Sequence, residues 1–343
     1  MEKITFCGDV WLPAESFLEI PAPLSEALVL NLEAPLTNEG KAADGKICLR
    51  SDPDAFDKTF SVPPLAVCLA NNHIMDYGEI GFTDTLSHLR RRGIAYFGAG
   101  TSGHRCNNPL VMDVGGIKIG LMGYVCPSTH PIFATEDTNG VAPIDLSEVA
   151  KDVKRAKAEG AQRLVVCLHW GEEEVWLPKP EDVEKALGVL NLGVDLVVGH
   201  HAHCCQPVMK GVLNKGVKYA FFGLGNAYFP DFEYRHHSGD VSWKRQRIWN
   251  RTAAWISYFP KTSLATWDTY REESGRFVPV KSISSKIEEW DIAGYRSVSD
   301  AYKRRFNRAK RSATFRNVIS RFASKPRIPS VSSIQYVIKS ILR

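Results

Sequence analysis

Six polar clusters in this 343-residue chain combine residue types that bind hard or borderline cations. They are Gly8-Asp9, Asn31-Leu32-Glu33, Asn71-Asn72-His73, His169-Trp170-Gly171, Gly199-His200-His201-Ala202-His203 and Asn226. Asp, Glu, Asn and His offer oxygen and imidazole ligands without thiolate. That set favours Mn, Fe or Zn in a catalytic site over a structural all-cysteine zinc. Three histidines at 200, 201 and 203 form the most specific single signal. In an extended segment, where side chains alternate with period two, His201-x-His203 places both imidazoles on one side. A carboxylate such as Glu33 can bridge two cations, and ions about 3.5–4 Å apart suit phosphate-ester hydrolysis. Each piece alone also has a plain structural reading: Asp9 after glycine suits a turn, and His169 before Trp170 suits a packed core. It is the recurrence at successive positions that points to a site.

The recurrence has a pattern. Short apolar runs at 4–7, 28–30, 65–69, 117–122, 164–168, 196–198 and 219–222 read as strands, and nearly all lead into one of these clusters. Amphipathic stretches at 81–92, 146–158 and 180–192 read as helices, the second with apolar residues at Leu146, Val149, Ala150, Val153 and Ala156. Asp145 stands where it would cap that helix. Alternating strands and helices predict an α/β domain, and ligands in such sheets bind at the carboxyl ends of the strands. Clusters between Asp9 and Asn226 can therefore share one site. Beyond Asn226 the runs AAWISYF and FVPVKSI predict antiparallel strands, and 299–324 reads as a basic helix.

Charge is unevenly spread. The whole chain carries a formal +5, yet 301–343 contains twelve basic and no acidic residues, which leaves residues 1–300 at −7. A uniformly basic nucleic-acid-binding domain is thereby excluded, and nucleic acid is not the expected partner. The eight cysteines form no CxxC pair, so free thiols are expected. No run of 18 apolar residues and no signal-peptide pattern is found; the expected location is cytoplasmic, or peripheral at the inner face of the membrane.

The blocks FCGDVWL, NLEAPLT, LANNHIMDYG, YFGAG, CLHWGEEEV, VGHHAHCCQPV and FFGLGNAYF together resemble the CapA-type poly-γ-glutamate capsule synthesis family, a branch of the calcineurin-like metallophosphatases. The resemblance spans about two thirds of the chain. It implies a sandwich of two β-sheets flanked by helices, assigned to 1–295; the basic amphipathic helical tail at 296–343 lies outside the matching blocks and is read from charge and spacing alone. The resemblance implies one or two divalent ions (Mn, Fe or Zn). Asp9, Glu33 and His203 stand as ligands of the first, and Glu33, Asn72, His169 and His201 as ligands of the second. His73 stands as the catalytic histidine, oriented by Asp76. His200 and Glu173 are held as supporting residues, Glu173 as a compensating ligand. Metallophosphatases typically carry Asp-x-His in the first motif; here the third position is Trp11. A first-metal ligand is thus missing, and one firmly held ion is expected.

The implied function is that of a metal-dependent, hydrolase-like protein of capsule or exopolymer (poly-γ-glutamate or polysaccharide) biosynthesis, acting on a phosphoester or an anionic polymer. The alternative is a non-catalytic, polymer-binding accessory protein of capsule synthesis or export. Asn226, Arg235, Arg245 and Arg247, with Lys244 nearby and Tyr234, Trp243 and Trp249 interleaved, are candidates to bind an anionic polymer or phosphorylated small molecule. The tail carries two readings. Tyr302, Phe306, Ala309 and Ala313 lie at helical spacing, and this face either contacts a membrane or synthesis complex or packs on the acidic body.

Overall fold

The computed structural model describes residues 2–100, 106–214, 216–235, 241–244, 246–280, 288–292 and 298–323. Among these, the strands form two large sheets. The first runs, in spatial order, Arg276–Pro279, Leu264–Glu273, Thr252–Phe259, Ile4–Val10, Leu28–Leu32, Ala66–Cys68 and Ala95–Phe97, with Asn226–Tyr228 also pairing with Ile4–Val10. The second runs Glu289–Asp291, Val208–Leu213, Gly216–Phe221, Leu196–His200, Arg163–His169, Ile117–Val125 and Leu110–Val114. The central strands of both sheets are parallel, so their carboxyl ends share a direction.

Period-two alternation explains the layering. In the second sheet Ile119, Leu121, Val165, Cys167, Leu196, Val198 and Phe221 join the core that includes the first sheet's Phe6, Val29 and Val67. The intervening Met122, Tyr124, Leu164, Val166, Val197 and Ala220 pack instead with helix residues Val149, Val153, Val183 and Ala186. Both faces of the sheet are buried, which is why its strands read as continuous apolar runs. Helix Leu146–Ala158 starts where Asp145 accepts hydrogen bonds from the Ser147 and Glu148 amides, and helix Pro180–Asn191 starts on a proline. Cys7, Cys48, Cys68, Cys126, Cys167, Cys204 and Cys205 are free thiols.

Beyond Asn226, strands Thr252–Phe259, Leu264–Glu273 and Arg276–Pro279 form the expected antiparallel edge of the first sheet. Helix Asp300–Ala323 follows. Its apolar face is not open: Phe306, Ala309 and Ala313 are buried against Val175 and Leu177, with Tyr302 beside them. Of the two readings of that face, packing on the body is the one observed. The stretch 324–343 lies outside the described residues. No described helix is long and apolar enough to cross a membrane.

Candidate metal centre

Register brings the polar clusters into line. Asp9 pairs with Asn31 on one side and Asn226 on the other, while His200 pairs with His169. The strand ends of the two sheets then face one another. Glycine permits the close approach: a Cβ on Gly8 would stand 2.0 Å from the Gly225 carbonyl oxygen, and one on Gly199 1.9 Å from that of Phe222.

The centre of the site is Glu33. It is fully buried, and no described N–H or O–H group donates to either of its oxygens. His169 Nε2 and His203 Nε2 each lie 3.6 Å from its Oε1. Glu33, His201 and His203 offer ligand atoms that all fall within 4.8 Å of one another. His169 Nε2 and Asn72 Oδ1 stand 2.8 Å apart beside them. Burial, and then the charge of Asp9, push the Glu33 carboxyl well above the usual range. Burial also pushes His169 well down, neighbouring imidazoles adding to the effect, and takes His201 to about 4. His169 and His201 are therefore held neutral, the form that ligates metal, beside a carboxylate that lacks a counter-charge. Orphaned buried oxygens among neutral rings fit a divalent cation.

The His201-x-His203 geometry departs from the sequence expectation. The Leu196–His200 strand ends before the pair, and His201 and His203 both adopt positive φ, 82° and 52°. Their rings come within 5.9 Å through a left-handed bend instead of strand alternation. Non-glycine residues in this region are uncommon and concentrate at functional sites.

Asp9 is already engaged. Asn31 Nδ2 donates to its Oδ1 at 2.8 Å and the His201 amide to its Oδ2 at 3.0 Å. His203 Nδ1 lies 2.8 Å from Asn226 Oδ1, which turns Nε2 towards Glu33. Asn226 thus positions a ring, although the sequence suggested contact with substrate. His200 lies 3.3 Å from the Cys7 carbonyl oxygen and is spent on joining the sheets. Trp11 donates its Nε1–H to the Arg50 carbonyl at 2.8 Å and packs its buried ring against Phe229 and Phe232.

A pocket of about 460 Å³ opens beside the cluster, lined among others by Asn72, His73, His201, His203, Lys46 and Lys244. His73 Nδ1 is 2.6 Å from Asp76 Oδ2. That same oxygen accepts the Leu49 amide at 2.7 Å, while Asp76 Oδ1 meets Lys46 Nζ at 2.5 Å. Glu173 lines the pocket and pairs with Lys244 at 3.2 Å.

The basic segment beyond Asn226 divides. The side chains of Tyr234, Arg235 and Trp243, and the whole of Arg245, lie outside the described residues. Arg247 is turned elsewhere: it donates to the Arg316 carbonyl at 2.7 Å and stacks on Trp249. Sequence reasoning missed four residues. Asn31 and Asn71, which donates to the Leu32 carbonyl at 2.8 Å, sit inside quoted motifs at strand ends and were findable there. Lys46, and Asn250, which donates to the His203 carbonyl at 2.9 Å, carry no local signal.

Two sheets joined face to face and flanked by helices thus carry a carboxylate–imidazole cluster at their carboxyl ends, a layered α/β fold with a candidate metal centre. The chain belongs to the bacterial capsule synthesis protein PGA_cap family, whose model matches residues 3–231. It is similar to the capsule biosynthesis protein CapA of Bacillus anthracis, 29% identical over 58% of this chain and 49% of that one. It is also similar to the PGA biosynthesis protein CapA of Bacillus subtilis, 30% identical over 68% of this chain and 59% of that one. The match thus spans about half to three fifths of these relatives' length. Among solved structures, a phosphatase from Mycoplasma pneumoniae covers 82% of this chain and 94% of its own at 12% identity, with a TM-score of 0.47.

Proposed function

We propose that the chain is a metal-dependent hydrolase of capsule or exopolymer biosynthesis that acts on a phosphoester or anionic polymer. The observation that carries this reading is Glu33: a buried carboxylate without donors, set among histidines at the floor of an open pocket. Glu33, His201 and His203, with His169 and Asn72 beside them, would hold the cation. A bound divalent ion supplies Lewis-acid polarisation of a phosphoryl oxygen and lowers the pKa of water.

The chain's own residues supply proton handling. His73 keeps Nδ1 on Asp76, which leaves Nε2 for the substrate's leaving oxygen. Asp76 is buried and accepts from His73, so it fixes the ring's orientation and stabilises the imidazolium. Lys46 balances the Asp76 charge and also donates to the Asn72 carbonyl at 2.6 Å, tying the acid to the metal-ligand loop.

The test is hydrolysis of a generic phosphodiester and monoester with Mn²⁺ present. His73→Ala is expected to lower turnover about 10²–10⁴-fold, and Asp76→Asn about 10–100-fold. Unchanged turnover in both variants refutes the assignment.

Trp11 favours a second reading. In the sequence it stands where the family resemblance implies a metal-ligating histidine, and its ring is packed in an apolar cluster with Phe229 and Phe232. On that basis the chain binds an anionic polymer in the pocket without cleaving it. Retention of polyglutamate with no hydrolysis of any phosphoester would select this reading over the first.

A further inference from the structure

Helix Asp300–Ala323 has two faces with different tasks. The inner face holds the loop that follows the His169 strand. Phe306, Ala309 and Ala313 pack on Val175 and Leu177, Tyr302 donates to the Pro178 carbonyl at 2.7 Å, and Lys310 pairs with Glu172 at 2.9 Å. Glu172 lines the pocket, so the helix stands at the pocket's edge.

The outer face is built from Arg304, Arg308, Arg311 and Phe315. At 100° per residue these four fall within a narrow band opposite Phe306 and Ala313. All four are exposed, Phe315 by 50%. The flanking Arg305 and Lys310 are paired with Glu288 and Glu172. Arg304, Arg308 and Arg311 make no ion pair among the described residues. Because the inner face is anchored, this band is presented at a fixed orientation.

We infer that this face docks the protein on an anionic lipid surface, with Phe315 entering the interfacial layer and the three arginines meeting headgroup phosphates. Charge alone would suit any polyanion. An exposed aromatic in line with the basic band, one turn beyond Arg311, is the feature that a bilayer uses and a soluble polymer does not. The next twenty residues extend the same chemistry. They add Lys325, Arg327, Lys339 and Arg343, no acidic residue, and Ile334, Val337, Ile338 and Ile341 at helical spacing. The inference does not depend on hydrolysis. It places the pocket's edge beside the membrane, where a membrane-borne anionic substrate would be reached.

Flotation of the full chain on phosphatidylcholine vesicles, with and without about 30 mol % phosphatidylglycerol, tests it. Wild type is expected to float with the anionic vesicles only, and to lose binding steeply between about 0.1 and about 0.5 M salt. The triple variant Arg304→Glu, Arg308→Glu, Arg311→Glu should bind about a hundredfold more weakly, given about 1 kcal/mol for each basic residue at the surface. Phe315→Ser should weaken binding about tenfold. These side chains are exposed, so the variants should keep the wild-type melting temperature. Failure of wild type to float, equal flotation on neutral vesicles, or a triple variant that floats like wild type would each overturn the inference. So would capture of polyglutamate or RNA without vesicle binding, which assigns the face to a polyanion.

Discussion

Replacing Glu33 by glutamine should have opposite effects on the chelator-stripped and the metal-loaded protein. Glu33 is 0% exposed, its two oxygens receive no hydrogen bond from any described donor, and the closest histidine nitrogens are 3.6 Å away. Without a cation, such a carboxylate destabilises the fold. The neutral amide removes the charge while keeping the shape. A buried polar group lacking partners costs about 1–3 kcal/mol, more when charged. The stripped variant should therefore gain about 1–3 kcal/mol, or roughly 2–6 °C at about 2 °C per kcal/mol. Metal should reverse the order. At a hundred times Kd a cation stabilises the wild type by about 2.7 kcal/mol, roughly 5 °C. The Glu33→Gln change removes the central ligand, and the metal-induced shift should fall below about 1 °C. Scanning calorimetry after chelation, with and without Mn²⁺, reads both quantities. A variant less stable than wild type when stripped, yet with a full metal-induced shift, would show that Glu33 is an ordinary core residue and sink the reasoning.

Two other outcomes follow from the same geometry. Purified protein should retain one tightly held metal equivalent by plasma emission analysis. Trp11→Ala should lower stability by about 3–5 kcal/mol without changing that count, because the indole fills core space and bonds to Arg50; two retained equivalents would contradict the single-ion reading. Asp182 gives a pH test away from the site. Burial raises its pKa from 3.8 to about 6, against the partial relief of Lys185 at 3.6 Å. A raised carboxyl stabilises the fold fully below its unfolded pKa and loses that contribution as pH rises through about 6. Asp182→Asn should then be nearly neutral at about pH 4 and stabilising by about 1–3 kcal/mol at about pH 8; a variant with no pH-dependent difference in urea melts would argue that Asp182 is solvated.

The local layer of the structure was legible because local rules control it. Helix Leu146–Ala158 and its Asp145 cap follow from periodicity and one side chain's hydrogen bonds. Strand identities follow from apolar runs buried on both faces. The ends of those runs are less legible. Ile4–Val10 continues through Asp9 because pairing with Asn31 and Asn226 holds the backbone extended beyond the last apolar residue of the run.

The sequence by itself determined the inventory of candidate ligands, the tryptophan at position 11 and the family. Those properties reside in residue identity and order, and no packing alters them. Tertiary structure alone decided how the inventory is used. The left-handed bend at His201 and His203, the diversion of His200 to the Cys7 carbonyl and of Arg247 to Arg316, and the arrival of Lys46 at Asp76 all depend on segments far apart in the chain. The same holds for helix Asp300–Ala323. Its sequence shows an apolar face and a basic face, but only the loop from Val175 to Leu177 decides which of them is buried. Periodicity describes a face, whereas contact requires a partner, and the partner here lies more than a hundred residues earlier in the chain.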